Sequence, residues 1–155
     1  MTRAGPSLWA RALRYLAMRE HSRAELGRKL LRHAEDSPED PAAPRIARLL
    51  DELVAQGLLD DRRAAEALVV AQSPRLGGLK LRQRLRARGV DAEVSEAALA
   101  GLADTELARA RAVWQRRFGQ PAADAAEYAR QTRFLAGRGF DAELIRRLLR
   151  GRDED

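Results

Sequence analysis

Apolar residues recur at helical spacing along this chain, and short polar turns separate the stretches in which they do so. Ile46, Leu49, Leu50 and Leu53 lie three and four residues apart in pairs, which is the period of one face of a helix. Gly57 follows, and glycine commonly marks the residue just past a helix end. Applied to the whole chain, the pattern predicts nine helices, near residues 8–19, 23–33, 44–55, 62–72, 77–88, 92–102, 105–117, 122–137 and 142–150.

The second and third parts of the chain repeat one another. Residues 88–94 (RGVDAEV) match residues 138–144 (RGFDAEL) almost position by position, at an offset of 50 residues. In each copy the glycine, Gly89 or Gly139, can take the left-handed conformation found just past a helix end. The aspartate two residues later is placed to cap the next helix. The repeat therefore predicts that one helix ends and another begins at the same point of two similar units.

The first part of the chain follows the same plan. Ser22 and Glu25 have the spacing of a capping box at the start of a leucine-rich helix. A proline-rich, acidic loop over residues 34–44 separates that helix from the next. We therefore predict an all-α fold of three helix-turn-helix-like units with three helices each, stacked in tandem into an elongated, curved molecule. The predicted units span residues 1–59, 60–102 and 103–155, and the last ends in a short acidic tail.

The composition supports helices and excludes several kinds of site. Alanine, arginine and leucine, which are all good helix formers, make up more than half of the 155 residues. Aromatic residues are only 5% of the chain, which argues against a sheet-based fold. Cysteine is absent, so disulfides, thiolate catalysis and cysteine-ligated zinc are excluded.

Sequence signatures of enzymes are also absent. The chain has neither a GxxxxGK(S/T) phosphate loop nor a GxGxxG loop after a strand, and we interpret Gly77 and Gly78 as part of an ordinary loop. His21 and His33 are not at the i, i+4 spacing that places two metal ligands on one helix face. We place His21 in a turn between helices and His33 near a helix end. We expect no catalytic residue, no cofactor and no metal.

Four further residues have a structural and a functional interpretation. Asp60 and Asp61 could suggest a metal site, but no third carboxylate follows at a regular ligand spacing. A cap at the start of the fourth helix is the favoured interpretation. Trp9 and Trp114 could each stack on a nucleic-acid base. Because aromatic residues are so few, core packing is favoured for both.

Positive charge is concentrated in the middle of the chain. The net charge is +6, and residues 75–88 contain six cations and no acid. Leu81 and Leu85 share one face of the predicted helix, so they can dock while the cations fan out around them. Like charges repel, and a phosphate backbone or an acidic groove would compensate for that repulsion. An incidental solvated face in an arginine-rich chain is the alternative.

A weaker cluster with no acid follows in the seventh predicted helix, where Arg111 is one of four arginines. The chain contains no asparagine, and Gln83 is the only glutamine in the fifth helix, so base-edge readers are scarce. The pattern favours weak, non-specific DNA binding. The candidate contact residues for a polyanionic partner are Lys80, Arg82, Arg84, Arg86, Arg88, Arg109, Arg116 and Arg117.

Three further segments are informative together: residues 12–30 (ALRYLAMREHSRAELGRKL), 53–61 (LVAQGLLDD) and 134–140 (FLAGRGF), within residues 8–151. They resemble the signatures of the bacterial regulatory protein RecX family and lie in the family's order. The resemblance implies tandem three-helix units in a cytoplasmic, non-enzymatic modulator of the RecA recombinase. Such proteins bind the RecA–DNA filament and inhibit its ATPase and strand exchange, and some bind DNA weakly.

We accordingly expect a monomer that binds the RecA filament, with weak, non-specific DNA binding and no membrane association. The candidate contact residues come from the charge pattern, because the signature residues are mostly caps and packing residues. Two other hypotheses stay open. The chain could be an independent DNA-binding protein of the helix-turn-helix type, since three-helix units are also the architecture of such proteins. An enzyme is the third and weakest hypothesis.

Overall fold

A computed structural model describes residues 5–151, which contain nine α-helices and no strand. All nine predicted helices are confirmed, with ends within three residues of the predicted ones. The helices are α1 (Leu8–Met18), α2 (Arg23–Leu31), α3 (Ala42–Ala55), α4 (Asp61–Gln72), α5 (Gly78–Ala87), α6 (Ala92–Leu99), α7 (Ala103–Arg117), α8 (Ala125–Gly137) and α9 (Ala142–Arg150).

Four helices start at caps that the sequence predicts. Ser22 and Glu25 form a complete capping box, in which the hydroxyl accepts from the Glu25 N–H and the carboxylate accepts from the Ser22 N–H. Asp60 caps α4, as predicted, by accepting from two backbone N–H groups of the first turn. Asp141 does the same for α9, and Asp91 caps α6 by accepting from one N–H, that of Val94. Local sequence therefore sets where these helices begin.

Three clusters of buried apolar residues form the core, and each draws mainly on three consecutive helices. The first cluster contains Leu26, Leu30, Leu50 and Leu53, the second Leu68, Leu81, Leu85 and Leu99, and the third Trp114, Leu135, Phe140 and Ile145. Trp114 is fully buried, and Trp9 is partly buried and packs against the first cluster. The predicted core packing of both tryptophans is therefore confirmed. The predicted unit boundaries at 59/60 and 102/103 stay predictions.

The molecule exposes more surface than a single globule of its mass. Its accessible surface is 10207 Å², whereas a compact monomer of this mass exposes about 7,800 Å². The most extensive helix contacts join α1 to α2, α2 to α3, α4 to α5 and α6, α5 to α6, α7 to α8 and α9, and α8 to α9. Each group of three thus buries its own small core, which accounts for the large surface.

The first joint between neighbouring groups places the turn between α5 and α6 against the start of α2. The Ser22 hydroxyl donates to the backbone carbonyl of Arg88. The carboxylate of Asp61, the first residue of α4, accepts from the Arg23 N–H at 2.6 Å. The second group therefore accepts from the cap hydroxyl of α2 and satisfies one of the backbone donors that a helix start leaves without an internal partner.

The second joint repeats this arrangement one group later. The Gly77 N–H donates to the carbonyl of Arg138 at 2.9 Å, in the turn between α8 and α9. The carboxylate of Glu106, in the first turn of α7, accepts from the Gly78 N–H at 2.8 Å. Arg88 and Arg138 are equivalent residues of the sequence repeat, so the two joints are equivalent as well.

Glycine is required at the second joint because two backbones approach closely. A Cβ atom at Gly77 would overlap the backbone carbonyl of Gly139, and a Cβ at Gly139 would overlap Lys80. Gly139 also has a φ of 89°, the left-handed conformation that the repeat predicts. Gly77 and Gly78, interpreted from the sequence as an ordinary loop, are instead the N-cap and the first residue of α5.

We predict that Gly77→Ala destabilises the protein by about 1–3 kcal/mol, because the added methyl group overpacks a backbone contact that cannot yield easily. The φ of Gly77 is −81°, so backbone strain does not contribute. Urea unfolding followed by circular dichroism measures the effect.

Gly137→Ala is the matched control, because a Cβ at that position meets nothing within 4 Å. It should raise stability by up to about 1 kcal/mol, since alanine is the better helix former. Equal stabilities for Gly77→Ala and the wild type would show that the joint does not constrain the fold.

Candidate polyanion-binding surface

Helix α5 is anchored by its leucines and presents its cations around them, as the sequence predicts. Leu81 and Leu85 are both fully buried in the second core cluster. The helix contains no acid, and its last turn carries Arg84 and Arg86. Cations near a helix C-terminus are favoured by the helix dipole, which offsets part of their mutual repulsion.

Two of the candidate residues on this segment contact the protein's own carboxylates. Arg82 binds Glu96 of α6 with two hydrogen bonds, of 2.6 and 3.2 Å. These hydrogen bonds raise the pKa of Arg82 and lower the pKa of Glu96. Arg88 lies half-buried at the first joint, 3.9 Å from Glu25. Burial and the charge of Arg19 lower the pKa of Arg88.

The other three candidate residues on this segment, Lys80, Arg84 and Arg86, form no ion pair with any residue between 5 and 151. Arg84 donates to the neutral side-chain oxygen of Gln72 at 2.7 Å and stays exposed. Arg86 is exposed, and its side chain has no hydrogen bond to the described residues. Lys80 is partly buried, with its stem against Gly139 at the second joint. We call Lys80, Arg84 and Arg86 the α5 strip.

The second predicted cluster divides into residues with different roles. Arg109 is half-buried and donates to the backbone carbonyls of Ser73, Leu76 and Leu102 at 2.9, 2.6 and 3.2 Å. Burial lowers its pKa. Arg109 thus ties α7 to the connection between α4 and α5, and its donors are largely used. Arg116 and Arg117 lie exposed in the last turn of α7.

Arg116 and Arg117 line a cleft that sequence reasoning did not identify. The cleft has a volume of about 210 Å³ and is lined by Arg75, Val113, Arg116, Arg117, Phe134 and Arg138. The guanidinium groups of Arg117 and Arg138 lie 5.4 and 5.1 Å from the centroid of the Phe134 ring, which is cation–π distance. Arg75 opens the acid-free stretch, but nothing in the sequence shows that Arg138 lies beside it. We call this site the arginine cleft.

His21 has a structural role in the first group of helices. It is buried, with Nδ1 3.0 Å from the backbone carbonyl of Arg19 and Nε2 2.8 Å from the Lys29 ammonium. An ammonium only donates, so Nε2 accepts and the neutral ring carries its proton on Nδ1. Burial lowers the pKa of both His21 and Lys29. Within residues 5–151, no three His, Asp or Glu side chains are grouped to hold a metal ion.

Comparison with known proteins identifies the family. Models of the first, second and third three-helix domains of RecX match residues 9–38, 60–99 and 104–149. Regulatory protein RecX of Leptothrix cholodnii is 48% identical over 149 residues, which cover 96% of this chain and 91% of that protein. The chain belongs to the RecX family. The resemblance carried by the three sequence signatures is thereby confirmed.

Other RecX proteins agree with this assignment. Regulatory protein RecX of Ralstonia nicotianae is 44% identical over 147 residues, which cover 95% of this chain and 89% of that protein. The crystal structure of RecX from Lactobacillus salivarius superposes with a TM-score of 0.74 and covers 94% of each chain, at 20% identity. The RecX fold is therefore shared at low identity. None of the helices between residues 5 and 151 has the length and apolarity to cross a membrane.

We predict that stability falls as the pH drops below about 6.5, the ordinary pKa of histidine. The pKa of His21 is lower in the folded protein, so the unfolded chain takes up the proton first. The stability is full above about pH 6.5 and declines as the pH falls towards the lowered pKa of the folded state. Urea midpoints at pH 7.5, 6.5 and 5.5 measure this decline.

His21→Gln should make the midpoint less dependent on pH over this range, because glutamine does not titrate. His33→Gln is the control, since His33 is exposed, and it should keep the wild-type pH dependence. The same decline in wild type and His21→Gln would contradict the assignment to His21.

Proposed function

We propose that this RecX-family protein binds the RecA recombinase–DNA filament and lowers its ATPase and strand-exchange activity. The observation that supports the proposal best is the α5 strip, which lies on a tandem array of helical groups and has no ion pair with the rest of residues 5–151. The relatives named above are regulatory proteins. A long, repeating, anionic partner suits both the array and the charge.

Tandem groups suit such a partner because they can contact it at several points at once. The two equivalent joints give neighbouring groups the same polar connection, so their surfaces keep a fixed spacing. A second contact made by an already bound molecule costs much less entropy than the first, and weak contacts then add up to firm binding. Each cation that contacts a phosphate also releases condensed counterions, which contributes further.

Inhibition by binding requires a difference in affinity between two states of the filament. A ligand shifts an equilibrium only as far as it prefers one state, and about 1.4 kcal/mol of preference shifts it tenfold. We propose that this protein prefers the filament state that hydrolyses ATP more slowly. Such an activity needs no catalytic residue, cofactor or metal, and one copy of the chain in the cytoplasm suffices.

We predict that Arg84→Glu/Arg86→Glu raises the protein concentration needed for half-inhibition at least tenfold, because reversed charges repel the filament phosphates. DNA-dependent ATPase of RecA, titrated with the protein, is the measurement. Arg82 and Arg88 are left unchanged because they bind Glu96 and approach Glu25. Reversing them would also change contacts within the protein, so a loss of inhibition could not be assigned to the partner alone.

The control is Arg147→Glu/Arg150→Glu, which changes the net charge equally. Both arginines are exposed on α9, and neither forms an ion pair within residues 5–151. This variant should inhibit as the wild type does. No inhibition by wild-type protein in several-fold excess would contradict the proposed function, and full inhibition by Arg84→Glu/Arg86→Glu would remove the α5 strip from it.

The α5 strip also bears on the alternative of an independent DNA-binding protein. Three phosphate contacts from Lys80, Arg84 and Arg86 would give log K against log salt a slope of about −2.7 on duplex DNA. We predict weak binding to bare DNA, and a slope less steep by about 1.8 in Arg84→Ala/Arg86→Ala. Anisotropy titrations at several salt concentrations measure both. Nanomolar, sequence-selective binding at physiological salt would favour the alternative instead.

A further inference from the structure

The arginine cleft has a different chemistry from the α5 strip. We propose that it binds an acidic peptide segment carrying one apolar side chain, on the protein component of the filament. The inference rests on the proposed function for the source of that segment. Four arginines from three parts of the chain converge on the cleft: Arg75 before α5, Arg116 and Arg117 on α7, and Arg138 after α8.

The cleft can accept an anion because no carboxylate among residues 5–151 neutralises its arginines. All four arginines are exposed, and none forms an ion pair with the residues between 5 and 151. Arg117 and Arg138 rest against the ring of Phe134, which restricts their rotamers before a ligand arrives. Planar guanidinium groups held in this way bind carboxylates with two parallel hydrogen bonds and lose less entropy in doing so.

The apolar surface between the four arginines is the reason that the proposed peptide carries an apolar side chain. Val113 and Phe134 line the cleft and are half-buried. A volume of about 210 Å³ has room for one large side chain, and burying it there removes apolar surface from water. A peptide with an aromatic or aliphatic residue between acids matches both features of the cleft.

A nucleic acid matches the cleft less well. Phosphates follow one another along a strand, so a row of cations such as the α5 strip suits them. Arginines that converge around an apolar floor suit a compact cluster of carboxylates instead. The two surfaces therefore separate a protein contact from a DNA contact.

Two labelled peptides and one oligonucleotide test the inference by fluorescence anisotropy with the full chain. The first peptide is Asp-Glu-Asp-Phe-Asp-Glu, the second has serine in place of phenylalanine, and the oligonucleotide is a thymidine 20-mer. The phenylalanine peptide should bind at least tenfold more tightly than the serine peptide. Both peptides have the same charge, so the difference reports the apolar floor.

Arg75→Glu/Arg116→Glu should weaken binding of the phenylalanine peptide more than tenfold. Arg147→Glu/Arg150→Glu, with the same net charge, should weaken it no more than about threefold, because only the long-range field changes. Circular dichroism and the urea midpoint verify that both variants fold. Arg84→Glu/Arg86→Glu should keep peptide binding and lose oligonucleotide binding.

Three results would overturn the inference: equal binding of the two peptides, equal losses in the cleft and control variants, or a cleft variant that loses the oligonucleotide and keeps the peptide. These failures differ from a failure of the proposed function. If wild-type protein does not inhibit RecA while the peptide results hold, the cleft stands and its natural peptide belongs to another protein. If inhibition holds and the peptide results fail, only the cleft assignment is lost.

Discussion

The tandem arrangement depends on the close approach of a glycine turn to the start of the middle helix of the preceding group. At the second joint, Gly77 has no side chain to cap α5, so its N–H and that of Gly78 are satisfied by Arg138 and Glu106 of the next group. Leaving a buried donor unpaired costs about 1–3 kcal/mol. Docking in this one orientation avoids that cost. Backbone atoms, rather than the charged side chains, thus set how neighbouring groups are placed.

Tertiary contacts also decide which arginines remain available to a partner. The sequence shows an acid-free stretch at residues 75–88, but the acids that approach it come from α2 and α6. Arg82 and Arg88 contact carboxylates there, and Arg109 is bound to backbone carbonyls. What remains exposed is a shorter strip on α5 and a second site around Phe134. Charge patterning along one segment cannot distinguish these cases, because ion-pair partners are set by the fold.

The helices were predictable because their signals are local. Caps and apolar spacing lie within a few residues of each helix end, and the errors have local causes. Helix α6 ends at Leu99 because Gly101 takes a left-handed conformation with a φ of 81°, and α8 begins only after its cap, Asp124. The joints and the arginine cleft were not predictable. Ser22 meets Arg88 across 66 residues, and Arg75 meets Arg138 only because the second joint brings α5 to the end of α8.

The contacts that hold the arginines differ in how readily a partner can replace them. Arg82 is partly exposed and Glu96 is exposed, and ion pairs open to solvent contribute little to stability because water competes for both charges. A phosphate can therefore take the place of Glu96 at little cost, so Arg82 stays within reach of a polyanion. Releasing Arg109 would leave the carbonyls of Ser73 and Leu76 without their donor at the second joint. A partner can thus rearrange the surface of α5 and α6 while the framework beneath it stays fixed.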